Sequence, residues 1–127
     1  MKMFQLEKRD QVRVVTPSPE ARDVPEAKLH GEAEPVFGSL RGAGARTVIV
    51  DLTALPYFGS AFISVLVRLH KIVRQGGGEL VLAGANARTS EVLQLTGLDQ
   101  LWSSYADREK ALAAAEAPGS GAPAACA

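Results

Sequence analysis

The chain has 127 residues, 46% of them hydrophobic and 22% charged, which suits one soluble domain with a modest core. Its 14 Lys and Arg balance its 14 Asp and Glu, so no overall field favours nucleic acid or an anionic membrane as a partner. The single cysteine, Cys126, excludes a disulfide framework and a cysteine metal site within one chain.

At the N-terminus, MKMFQLEKRD lacks the apolar centre of a secretory signal. No apolar run approaches the roughly 20 residues that cross a bilayer. The expected compartment is the cytoplasm, without membrane insertion. Phe4, Leu6 and Lys8 alternate with their neighbours as a strand does. Arg9-Asp10 reads as a turn, and Val12, Val14 and Val15 as a second strand, so the chain opens with a hairpin that Pro17 and Pro19 end.

Within residues 18–44 the chain reads as a helix that Asp23 caps, starting at Val24 with Pro25 in its first turn. Leu29, Ala33, Val36, Phe37 and Leu40 share one face. Gly31 and Pro35 oppose a straight helix, and Gly42-Ala43-Gly44 ends it. The run Thr47–Leu52 is apolar and β-branched on both faces, as in a strand covered on two sides.

The clearest helix spans Ser60 to Gln75. Phe62, Val65, Leu66, Leu69, Ile72 and Val73 recur at spacings of three and four, with Arg68, Lys71 and Arg74 opposite. Gly76-Gly77-Gly78 stops it, and Glu79–Ala83 is the next buried strand. Asn86 is placed to cap a short helix ending at Gly97. Leu101–Tyr105 reads as a last strand, and Asp107 as the cap of an alanine-rich helix. The expected fold is therefore α/β: a single domain over residues 1–116, with a mixed but mostly parallel sheet of four to five strands and a hairpin at its start. Residues 117–127, PGSGAPAACA and the alanine before it, read as a disordered tail.

Signatures of catalysis are missing: HExxH, CxxC, GxSxG and GxxxxGK[ST] do not occur. The glycine run 76–78 follows a helix and precedes a strand, the reverse of a phosphate-binding loop. His30 and His70 read as solvated side chains. Neither a metal nor a cofactor is expected from these residues. Asp51, at the end of a buried strand, reads as an acceptor for nearby N–H groups or as a functional acid. Ser60 is placed as the N-cap of the main helix, where its loss costs about 0.5–2 kcal/mol. A phosphate there would also meet free N–H groups and the positive end of the helix dipole.

The stretch DLTALPYFGSAFISVL, residues 51–66, resembles the core signature of STAS domains, the anti-sigma factor antagonists, whose usual form is D-L-S-x-V-x-F-I-D-S-S-G-L-x-x-L. The likeness continues through GGELVL at 77–82, LTGLDQL at 95–101 and YADREKAL at 105–112, so it covers about residues 46–115. It implies a small protein-interaction module rather than an enzyme. In that family the second serine of D-S-S is phosphorylated by a partner that is both serine kinase, of the histidine-kinase-like type, and anti-sigma factor; the unphosphorylated form captures that partner. Here Gly59 stands at the family Asp, Ser60 at the first serine, Ala61 at the acceptor and Phe62 at the following glycine.

Alanine has no oxygen to phosphorylate. The resemblance thus implies a constitutively unphosphorylated module unless Ser60, or Ser64 one turn on, serves as acceptor. The expected partner-binding residues are Tyr57, Phe58, Gly59, Ser60, Ala61, Phe62, Ile63, Ser64 and Val67. Two rival roles remain: a permanent STAS subunit of a lipid-transport or stress-signalling assembly, and a small-ligand or nucleotide site at the strand ends using Asp51 and the N–H groups near Ser60.

Overall fold

The apolar runs of the chain pair in sequence order. A computed structural model describes residues 3–42 and 44–116, so the expected tail at 117–127 and Cys126 lie outside the described residues. Five strands, β1 (Phe4–Arg9), β2 (Val12–Pro17), β3 (Thr47–Asp51), β4 (Glu79–Ala83) and β5 (Ser103–Tyr105), form one sheet in the order β1-β2-β3-β4-β5. β1 and β2 pair antiparallel, and the other three pairings are parallel. The helices are α1 (Glu26–Leu40), α2 (Ser60–Gln75), α3 (Ala87–Leu95) and α4 (Arg108–Glu116).

All five residues of β3 are buried, which requires cover on both faces. On one face Val15, Val48, Val50, Leu80 and Leu82 meet Leu29 and Phe37 of α1, Phe62, Leu66 and Leu69 of α2, and Leu93 of α3. On the other, Val12, Val14, Ile49, Val81 and Ala83 are covered by Ala111 and Leu112 of α4. The Lys110 N–H donates to Asp107 Oδ1 at 2.8 Å, so Asp107 caps α4 as its position predicts.

The start of α1 differs from the expectation. Pro25 occupies the N-cap without a side-chain hydrogen bond, and the helix begins at Glu26 rather than Val24. Asp23 instead closes a short 3-10 turn, Pro19–Arg22, and its carboxylate accepts from Tyr57. Pro35 lies inside α1, and the carbonyl its ring faces one turn back belongs to Gly31, on the exposed side of the helix. The two residues that oppose a helix thus fall together where solvent can take the freed carbonyl.

β5 is shorter than expected. Leu101 ends a 3-10 turn and is exposed, whereas Trp102 is buried and its indole N–H donates to His70 Nδ1 at 2.9 Å. His70 is therefore not simply solvated; it ties α2 to the segment entering β5. Burial, and secondarily the nearby charge of Arg74, lower its pKa below the ordinary 6.5.

The unfolded chain takes up the His70 proton before the folded one does. Stability from this group is fully present above about pH 6.5 and declines as pH falls through that value towards the lower folded pKa. Melting temperature should drop more steeply below about pH 6.5 in the wild type than in His70→Gln, which keeps an acceptor but does not titrate. Trp102 is the only tryptophan, so its fluorescence should change over the same range and be flat in the variant. A second expectation concerns Gly84, just past β4, with φ of +75° and Thr53 Oγ1 only 2.2 Å from where a Cβ would stand. Gly84→Ala should lower stability by at least about 1–3 kcal/mol in a denaturant titration.

Candidate functional site

The loop joining β3 to α2 runs over residues 52–59 and is fixed from beneath and at both ends. Leu52, Leu55 and Phe58 point into the core. At its start Asp51 Oδ1 accepts from the Thr53 N–H at 3.0 Å and from the Thr53 hydroxyl at 2.6 Å, an Asx turn. Asp51 Oδ2 faces Arg108 of α4 at 3.9 Å, and Arg108 also pairs with Glu7 of β1. The strand-end acid thus supports the loop and braces it to α4.

Further along, the Asn86 side chain performs two tasks. Its oxygen accepts from the Thr89 N–H at 2.9 Å while the Thr89 hydroxyl accepts from the Asn86 N–H at 2.9 Å, a capping box for α3. Its amide nitrogen donates to the carbonyls of Leu55 and Pro56, at 3.4 and 3.1 Å. Tyr57, half-buried, donates its hydroxyl to the Asp23 carboxylate at 3.0 Å, and the guanidinium groups of Arg88 and Arg22 lie 5.2 and 5.9 Å from its ring centre.

Gly59, not Ser60, is the N-cap of α2. Its backbone is extended, with φ of −115° and ψ of −163°, and it has no side chain with which to cap. Ser60 is the first helical residue, exposed, with its hydroxyl making no hydrogen bond among the described residues. The expectation was displaced by one residue because Gly59 already has the non-helical geometry that a cap requires. The first N–H groups of α2 therefore have no side-chain acceptor.

The residues expected to form a contact surface divide into two sets. Phe58 and Phe62 are 4% and 1% exposed, with ring centres 5.0 Å apart, so they support the loop from inside and present nothing to a partner. Phe62 belongs to the same core stripe as Leu66 and Leu69, and Phe58 packs on it from one turn before. Gly59 and Ser60 are exposed; Tyr57, Ala61, Ile63, Ser64 and Val67 are half-buried. Ile63 and Val67 rest on the edge of the core with part of each side chain uncovered.

Ser64 is engaged in a polar bridge between α1 and α2. His30 Nε2 lies 2.8 Å from Ser64 Oγ, and Arg68 lies 3.3 Å from His30 Nδ1. A guanidinium can only donate, so in the neutral ring Nδ1 accepts and Nε2–H donates to Ser64. The Ser64 hydroxyl in turn donates to the Ala61 carbonyl at 2.8 Å and lies 3.3 Å from Glu26. Arg68 continues the bridge to Glu34 at 3.2 Å and lies 4.3 Å from the centre of the Phe37 ring. His30 is thus a buttress between helices, not the solvated side chain its sequence position implies. Among the described residues no group of three His, Cys, Asp or Glu converges as a metal site would require, and no helix is long and apolar enough to cross a membrane.

This architecture and site have relatives. The STAS domain family matches residues 4–111. BtrV of Bordetella bronchiseptica, assigned as an anti-sigma factor antagonist, is 37% identical over 71 residues. The match spans 56% of this chain and 61% of BtrV, so less than two thirds of that relative is represented. Among solved structures, an anti-sigma factor antagonist (STAS) domain protein of Planctomyces limnophilus superposes with a TM-score of 0.78 at 29% identity, over 90% of this chain and 98% of that one. An assigned anti-sigma factor antagonist of Thermotoga maritima shares the fold, with a TM-score of 0.73 at 24% identity over 87% and 92% of the two chains. The chain, with its parallel sheet opened by a hairpin and its rigid β3–α2 loop, belongs to the STAS domain family.

Proposed function

We propose that the protein is a docking module of the anti-sigma factor antagonist kind, which captures an anti-sigma factor or histidine-kinase-like serine kinase in the cytoplasm. The contact surface is the exposed edge formed by Tyr57, Gly59, Ser60, Ala61, Ile63, Ser64 and Val67. The observation that carries this reading is the exposed turn Gly59-Ser60, unobstructed by any other part of the described chain and backed by a loop that Asp51 and Asn86 hold in place. A rigid apolar edge loses little conformational freedom when a partner covers it.

Control of that surface is shifted from the family pattern. Ala61, at the position of the usual acceptor, cannot be modified. Ser64 is committed to His30, Ala61 and Glu26. Ser60 is the remaining serine of this edge, exposed at the start of α2. Transfer of the terminal phosphoryl group of a nucleoside triphosphate to its oxygen, with the hydroxyl proton lost to a base of the kinase and nucleoside diphosphate released, would add close to two negative charges. The free N–H groups of the first turn would stabilise those charges, and the neutral edge that receives the partner would be lost.

A comparative capture experiment tests this reading. Wild type and Ser60→Ala should retain the same anti-sigma factor or kinase. Ser60→Asp and Ala61→Asp should reduce its recovery by about tenfold or more, as expected for a charge forced into an apolar contact. Equal recovery by all four proteins would show that this edge is not the interface. Incubation of the captured kinase with labelled nucleotide assigns the acceptor: incorporation should vanish in Ser60→Ala, and label persisting there would exclude Ser60.

A further inference from the structure

The proposed docking edge does not end at Val67. Along α2 the outward residues Ser60, Ile63, Val67, Lys71 and Arg74 follow one another at spacings of three and four. They span 14 residue steps, or about 21 Å of helix. The first part of this stripe is neutral and partly apolar. The last part is cationic, with Lys71 and Arg74 both exposed.

Two features separate this face from an ordinary solvated one. The chain as a whole has no net charge, yet α2, SAFISVLVRLHKIVRQ, contains three cations and no Asp or Glu. A soluble surface helix commonly answers its cations with acids at i±4. In addition, Arg68 is the cation that finds a partner, Glu34 of α1. Lys71 makes no ion pair among the described residues, and Arg74 forms none as close as that of Arg68, although its charge acts on Glu79 at the start of β4 and on His70.

We propose that the outward face of α2 receives an acidic amphipathic helix of a protein partner, whose apolar residues cover Ile63 and Val67 and whose carboxylates meet Lys71 and Arg74. This rests on the docking reading above and names the chemistry of the partner. An anionic membrane is the weaker occupant, because lipid recognition of this kind uses clusters of about four to eight cations and this face offers two. The half-buried Ile63 and Val67 also expose too little to insert among acyl chains. Opposite charges at the far end of the stripe would fix the direction of the incoming helix and quicken its encounter.

The test uses the whole chain and a fluorescein-labelled probe helix of about 18 residues, with leucines at the three–four spacing and glutamates along both flanks. A control probe keeps the leucines and replaces every glutamate with lysine. Fluorescence polarisation should show binding of the acidic probe, weakening about fivefold or more from 50 to 500 mM salt, and no binding of the basic one. Lys71→Glu/Arg74→Glu should weaken the acidic probe about tenfold while leaving the melting temperature within a few degrees of wild type. Lys71→Glu alone should give a smaller loss in the same direction. Equal binding of the two probes, or equal binding of the acidic probe by wild type and double variant, would overturn the proposal. So would association with phosphatidylserine vesicles in the absence of any probe binding. If capture of the partner fails with Ala61→Asp but not with Lys71→Glu/Arg74→Glu, the docking edge stands and its acidic extension falls; if neither variant affects capture, both fall.

Discussion

The position of the first turn of α2 depends on the coupling between Asp51 and Asn86 across the loop they enclose. One fixes the departure of the chain from β3 through Thr53, and the other holds the carbonyls of Leu55 and Pro56. Neither bond is worth more than about 1–3 kcal/mol by itself. Their effect comes from location, since they hold a loop whose own side chains, Leu52, Leu55 and Phe58, are already immersed in the core. With backbone and side chains of the preceding loop both held, Gly59 and Ser60 are presented at the surface.

α2 is organised by angle. Its core stripe of Phe62, Val65, Leu66, Leu69 and Val73 seals one side of the sheet. The flank towards α1 is polar, and His30, Ser64, Arg68 and Glu34 form an interhelical bridge there. The opposite flank carries His70, which accepts from Trp102. Both flanks are secured to neighbouring elements, so the outward stripe is a fixed array on a helix that cannot easily rotate or slide.

Much of this was legible in the sequence where one signal dominated. The bounds of α2 and β4 match their apolar pattern because a three–four repeat bounded by glycines, or a short continuous apolar run following them, has few competing arrangements. Asn86 was legible as a cap because the cap is local. Its hold on the loop was not, because it joins residues some thirty positions apart. The His30–Ser64 bridge was hidden for the same reason: it depends on the relative register of two helices. Phe58 and Phe62 fall among the expected contact residues because they lie in the family-like loop and helix start, and the sequence does not give the angle at which these rings enter the core. Ser60 gives up the cap to Gly59, whose extended backbone at φ of −115° is open to any residue, so residue type alone does not say which of the two neighbours ends the loop.

The sheet is laid down in chain order, each new strand joining the one before it. A nascent chain can therefore assemble β1, β2 and β3 while the rest is still being made. The β3–α2 loop, however, is tied by an amide that belongs to residue 86. Until that asparagine has emerged and α3 has begun, β1, β2 and β3 can stand together while the loop ahead of α2 still lacks its tie to the Leu55 and Pro56 carbonyls, so that loop is completed by a residue that follows β4 in the chain.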